Sequence, residues 1–148
     1  MKIIDTKEKT INGISIRTTN NNEMSPETAK IGALHQHFDE TVSVDYKGGS
    51  RVYGVYFDYE SDASGEFSVL AGTDKVDSTK DKLEQITLPA GKYLVFSGKG
   101  EMPKAVIDTW GDIWTYFSAD AEYQRAYTFD YEFYKSQDEV DVFIAVKS

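Results

Sequence analysis

This sequence predicts an α+β fold made of a duplicated strand–helix–strand–strand unit, and three observations carry the prediction. Short runs alternate apolar and polar residues, the period of a half-buried strand. Two longer stretches place apolar residues three and four apart, the period of a helix face. The order strand, helix, strand, strand then occurs twice, over about 2–76 and about 83–147.

In the first half, "INGISIRTTNNNE" alternates Ile14 and Ile16 before an Asn run turns the strand into a loop. "SPETAKIGALHQHFDE" opens with Ser25 as N-cap and Pro26 at the first helical position, and Ile31, Leu34 and Phe38 share one face. "YKGGS" breaks the chain, "RVYGVYFDYE" is a strand, "SDASG" turns it, and "EFSVLAGTDKV" is its hairpin partner. The polar stretch "DSTKDK" separates the halves.

The second half begins with "LEQITLPAGKYLVFSGKG", two strands around a Pro-Ala-Gly turn. "EMPKAVIDTWGDIWTYFSA" is a helix, with Pro103 tolerable only in its first turn and Val106, Trp110, Ile113, Trp114 and Phe117 on one face. "EYQRAYTFDYEFYKS" and "DEVDVFIAVKS" are two strands joined by the loop "SQDE". Little residue-level identity links the halves; the repeat is one of pattern. Two such units pair into an antiparallel sheet with both helices on one face and the other face left concave.

The 148 residues are expected to form a single domain, 1–148, with a proper core. Sixteen Lys and Arg against 25 Asp and Glu give a net charge of −9, which argues against contact with nucleic acid or an anionic membrane. The absence of Cys excludes disulfides and thiolate-held metals. "MKIIDTKEKT" lacks a leader's apolar core and no run approaches membrane-spanning length, so a soluble, cytoplasmic protein is expected. Aromatic residues reach 14%, which fits either a dense core or an aromatic-lined site.

No catalytic or metal signature stands out. His35 and His37 are two apart on a helix and point to different sides, so they cannot jointly hold a metal. "DYESD" lacks the glycine and distal glutamate of a calcium loop. Ser50 and Ser97 have no His–acid pair to activate them, and "GKGE" is no phosphate loop. Catalytic residues, metals and cofactors are therefore expected to be none.

One residue is conspicuous. Glu132 sits among aromatics in "AYTFDYEFYKS". On a regular strand Tyr127, Phe129, Tyr131 and Phe133 point one way, and Thr128, Asp130, Glu132 and Tyr134 the other. The all-aromatic set is expected beneath the helices, leaving Glu132 and Tyr134 toward a groove. Either Glu132 is a solvated strand residue, or it pairs with Arg51 or Arg125, or it is a desolvated carboxylate that favours a ligand cation. Tyr53 and Tyr56 are three apart, one toward the core and one toward the groove, with Gly54 between them either a bulge or a point of close approach. Trp110 is either core or a pocket wall, and Phe143 could line either face.

The strings "YGVYFDYES", "FSVLAG", "ITLPAGKYLVFSGKG", "TWGDIW" and "YEFY", in that order from about Ile11 to Val146, resemble the GyrI-like small-molecule-binding domain, also the effector-binding half of AraC-type and MerR-type multidrug-responsive regulators. The resemblance implies a duplicated strand–helix–strand–strand unit with a ligand groove between the halves, and with two helices on one face of the sheet that groove is expected on the other. It also implies that Glu132, in the motif Glu132-Phe133-Tyr134, takes the charge of a lipophilic cation among aromatics. The expected ligand site is then Glu132, Tyr134, Tyr53, Tyr56, Trp110 and Phe143. No helix-turn-helix or winged helix flanks the domain, so a stand-alone effector-binding protein is expected, with a role in transcriptional regulation or drug sensing, a small cationic aromatic ligand and no direct nucleic-acid contact. Two alternatives carried by the same resemblance are a hydrolase of cyclopropane-bearing toxins and a gyrase-inhibitor-like protein-interaction module.

Overall fold

Residues 1–147 are described by a computed structural model. The chain runs through β1 (Lys2–Thr6), β2 (Lys9–Thr19), a one-turn α1 (Asn20–Glu23), α2 (Ile31–Thr41), β3 (Val42–Val44), β4 (Val52–Phe57), β5 (Glu66–Thr73) and β6 (Val76–Thr79). It continues through β7 (Glu84–Leu88), β8 (Gly91–Lys99), α3 (Lys104–Ser118), β9 (Arg125–Ser136) and β10 (Glu139–Val146). The fold is α+β, and mostly sheet.

Eight strands join one antiparallel sheet in the order β1-β8-β10-β9-β4-β5-β2-β7. Its centre is the β4–β9 ladder, which sets Gly54 opposite Glu132 and Tyr56 opposite Asp130. The edge strand β1 and the small β3–β6 sheet are elements that the alternation in the sequence did not announce.

Side-chain alternation divides the core. Leu34 and Phe38 of α2 pack with Phe67, Val69 and Ala71 of β5. Val106 and Ile113 of α3 pack with Leu94 and Phe96 of β8 and with Val140, Val142 and Ile144 of β10. Between these residues along the same strands, Leu70, Tyr93 and Ala145 join Tyr53, Val55 and Tyr131 in a third cluster on the reverse face. At Gly98 a Cβ would overlap the Thr109 hydroxyl, so glycine is what lets α3 lie close on β8.

Helix α2 begins at Ile31, six residues after the expected Ser25 cap. Ser25 instead closes a turn, its carbonyl accepting from Ala29 N–H at 2.9 Å. The carboxylate of Glu23 takes the free amides at the helix start, from Lys30 at 2.9 Å and Ile31 at 3.1 Å. A negative charge is stabilising there, where unpaired N–H groups point.

Candidate functional site

Glu132 is buried, with only 3% of its surface exposed. Its Oε2 accepts from the Tyr56 hydroxyl at 2.8 Å and from Trp110 Nε1–H at 2.7 Å. Its Oε1 accepts from the Tyr134 hydroxyl at 2.7 Å. All three donors are neutral. Burial, followed by the field of Glu132 itself, pushes the Tyr56 and Tyr134 phenols well above their ordinary value, so both remain protonated donors.

Neither arginine weighed as a partner reaches it. Arg125 gives its Nη2 to Asp130 Oδ2 at 2.7 Å, and Arg51 bonds the carbonyls of Lys135, Tyr46 and Ser50. Asp130 is fully buried and also accepts from Tyr59 at 2.5 Å and from the Ala145 amide at 2.9 Å. The pair Asp130–Arg125 is thus internally neutral. Glu132 is left as a buried carboxyl group held by hydrogen bonds, with no cation in ion-pair range among the described residues. Hydrogen bonds to a charged group contribute about 1.5–3 kcal/mol each, which is how such a carboxylate persists in the fold.

The carboxylate opens onto a cavity of about 1180 Å³ between α2 and α3. Its walls include Ile31 and His35 of α2, Val106, Trp110 and Trp114 of α3, and Tyr56, Tyr59 and Phe67. Trp110 meets Tyr56 edge-on at 5.2 Å. Among the described lining residues, Glu23, Asp39 and Glu132 are acidic, and Arg125 is the one fixed cation, already held by Asp130.

Four of the six expected site residues therefore come together here: Glu132, Tyr134, Tyr56 and Trp110. Tyr53 and Phe143 do not. Tyr53 lies on the reverse face, where its hydroxyl accepts from Lys9 Nζ at 2.7 Å, and Phe143 stacks on Tyr131 at 4.4 Å. The cavity also lies on the helix side of the sheet rather than opposite it. Tyr131 and Phe133, expected beneath the helices, face away from them and join the reverse-face cluster. The physical reason is that Glu132 finds its donors on the helix side, and parity sends its neighbours to the other. Tyr127 departs from that parity: its φ of 54° and the irregular β9–β10 register beside Asp130 turn it toward Tyr59 and Arg125.

His35 went unread as a site residue. It lies one helical turn after Ile31 and beside Leu34 and Phe38, a spacing that places it on the inward side of α2. Its Nε2 is buried without a hydrogen-bond partner, and its ring meets Tyr134 edge-on at 5.9 Å.

A family model described as Cass2, integron-associated effector binding protein, matches residues 2–146. The chain belongs to that family. YobU of Bacillus subtilis (strain 168), which carries a transcriptional regulator's name, is 31% identical to this Cass2-family chain over 147 residues, covering 91% of it and 90% of YobU. The crystal structure of the Vibrio cholerae integron cassette protein VCH_CASS2 is 40% identical, with a TM-score of 0.88 over 99% of the Cass2-family chain and 95% of its own. The structure of SAV2435 bound to tetraphenylphosphonium shares the fold at 17% identity, with a TM-score of 0.66 over 99% of this chain and 93% of its own. The fold is GyrI-like, as the resemblance implied. Among the described residues no helix is long and apolar enough to cross a membrane.

Proposed function

We propose that this Cass2-family chain binds lipophilic organic cations in the cavity between α2 and α3, with Glu132 as counter-charge and Tyr56, Tyr134 and Trp110 as aromatic walls. The observation that carries the reading is the buried Glu132 carboxylate, held by three neutral donors and facing an aromatic space whose one fixed cation among the described lining residues, Arg125, is already held by Asp130. A buried charge in that state gains from a counter-ion, and each ring face adds about 0.5–2 kcal/mol of cation–π attraction. The volume suits a drug-sized ligand. Tetraphenylphosphonium, the molecule bound by SAV2435 on the shared fold, is a cation of this chemistry.

We further read the halves as copies of one unit. Outward from the centre, β4, β5 and β2 on one side answer β9, β10 and β8 on the other, and a long helix follows the outermost of the three in each half, α2 after β2 and α3 after β8. The cavity would then lie between the copies, with one helix from each as a wall. As a member of an effector-binding family, the chain would serve as the ligand sensor of a transcriptional or drug response.

The test is a tryptophan-fluorescence titration with tetraphenylphosphonium on the wild type and on Glu132→Gln. Trp110 is hydrogen-bonded to Glu132 and reports directly. The expected result is saturable quenching in the wild type and a loss of about 2–5 kcal/mol of affinity in the variant, the usual cost of breaking a buried charge pair. No quenching in the wild type, or equal affinity in both, would overturn the reading.

A further inference from the structure

Two acceptor positions on cavity-lining residues are left over, on Glu132 and His35, and both lie against Gly54. Glu132 Oε2 already accepts twice, while Oε1 accepts once, from Tyr134, leaving one of its lone pairs without a protein donor. That oxygen stands beside Gly54: a Cβ built on Gly54 would lie 2.7 Å from Oε1 and 3.4 Å from His35 Nε2. His35 Nε2 is the buried, unpartnered nitrogen described above. The missing side chain of Gly54 therefore lets a carboxylate oxygen and an imidazole nitrogen, both of cavity-lining residues, approach the same point of the backbone.

We infer that these two acceptors seat the head group of a cation with at least two N–H donors, a primary or secondary ammonium, one N–H going to Glu132 Oε1 and the other to His35 Nε2. The inference rests on the cation-binding reading and narrows it to a chemical class. With the imidazole proton on Nδ1, the Nε2 lone pair is the acceptor. The two acceptors make different demands. A tertiary ammonium has a single N–H and satisfies only the carboxylate. A quaternary ammonium or a phosphonium has none and is held by charge and rings alone. Leaving a buried acceptor unmet beside a bound ligand is unfavourable, so the number of N–H groups should grade affinity. His35 is thus a specificity-determining residue, and the missing Cβ of Gly54 is what leaves Glu132 Oε1 in its place.

The experiment uses one aromatic body with three head groups: 2,2-diphenylethyl methylammonium, dimethylammonium and trimethylammonium, with two, one and no N–H. Each is titrated against the wild type, His35→Phe, which keeps an edge against Tyr134 but removes the acceptor, and His35→Gln, which restores one. Tetraphenylphosphonium serves as the reference. In the wild type the methylammonium should bind about tenfold more tightly than the dimethylammonium, the size of one hydrogen bond to a charged group. That step should vanish in His35→Phe and return in part in His35→Gln, each step being read relative to the same protein's affinity for tetraphenylphosphonium. Equal affinity for methylammonium and dimethylammonium in the wild type, with tetraphenylphosphonium still bound, overturns the role of His35 and leaves cation binding standing. A preference that survives in His35→Phe does the same. Failure of every cation, tetraphenylphosphonium included, overturns both readings together.

Discussion

The two faces of the β4–β9 ladder carry similar side chains and end in different roles. On the reverse face, Tyr53, Tyr131 and Phe133 meet one another and their neighbours ring to ring: Tyr131 stacks on Phe143 at 4.4 Å, Tyr93 meets Tyr131 at 5.4 Å, and Tyr53 meets Phe133 at 5.1 Å. On the helix face, Tyr56, Tyr134 and Trp110 turn their polar ends to one carboxylate and leave about 1180 Å³ between two helices. Aromatic content is common to both. What separates them is a buried charge that orients the rings by their hydroxyl and indole groups, and helices that stand apart instead of closing over it. An aromatic cluster without either becomes core, since ring contacts gain most when they exclude everything else.

The comparison breaks most visibly on the packed side. Tyr131→Ala should cost about 3–5 kcal/mol of stability, the range for deleting a buried aromatic side chain, and leave the cation affinity of folded protein unchanged. Urea unfolding and a parallel titration measure the two. A fall in affinity at intact stability would mean that the faces are not separate. Glu132→Gln should invert the pattern, with affinity falling as stated above while the urea midpoint moves little, because a neutral amide no longer requires three donors to solvate a charge. A collapse of stability instead would make Glu132 structural.

Gly54→Ala sharpens the boundary between floor and ligand. Its Cβ would stand 2.7 Å from Glu132 Oε1, so the carboxylate must shift, and cation affinity should fall by about 1–3 kcal/mol, the usual cost of overpacking. Calorimetric titration that found no change would show that the position of Glu132 Oε1 does not matter to the ligand.

The smallest effect is a matter of pH. Burial pushes the Tyr93 phenol up to about 12 from an ordinary 10.0. The folded state then keeps a proton that the unfolded chain has released, so this contribution is intact below pH 10.0 and is lost as pH rises to about 12. In Tyr93→Phe the urea midpoint should decline less steeply over that window. An unchanged slope would mean that Tyr93 is not buried against the reverse-face rings.

Much of this was legible in the sequence, and the exceptions are instructive. Alternation placed β4, β5, β8, β9 and β10, because a strand with one buried face must repeat every two residues. It also put Glu132 and Tyr134 on one face, opposite Tyr131 and Phe133. Alternation says which residues share a face but not what covers it. That is why Tyr53 and Phe143 were grouped with the cavity and the aromatic set was placed under the helices. The start of α2 was misread for a related reason. Ser25 and Pro26 form a local cap signal, but the carboxylate that caps the helix, Glu23, reaches Lys30 and Ile31 across a loop.

The sequence by itself determined the α+β class, the strand parity, the acidic balance and the placement of one carboxylate among aromatics, because all of these follow from local periodicity and composition. Only the tertiary structure decided that Arg125 goes to Asp130 and not to Glu132, that Trp110 and Tyr56 meet on the same oxygen, and that His35 is left with a buried nitrogen beside Gly54. Those outcomes depend on distances between residues up to 97 positions apart, from His35 to Glu132. Such distances are settled by how two helices pack on one sheet, and no periodicity within a single strand or helix records them.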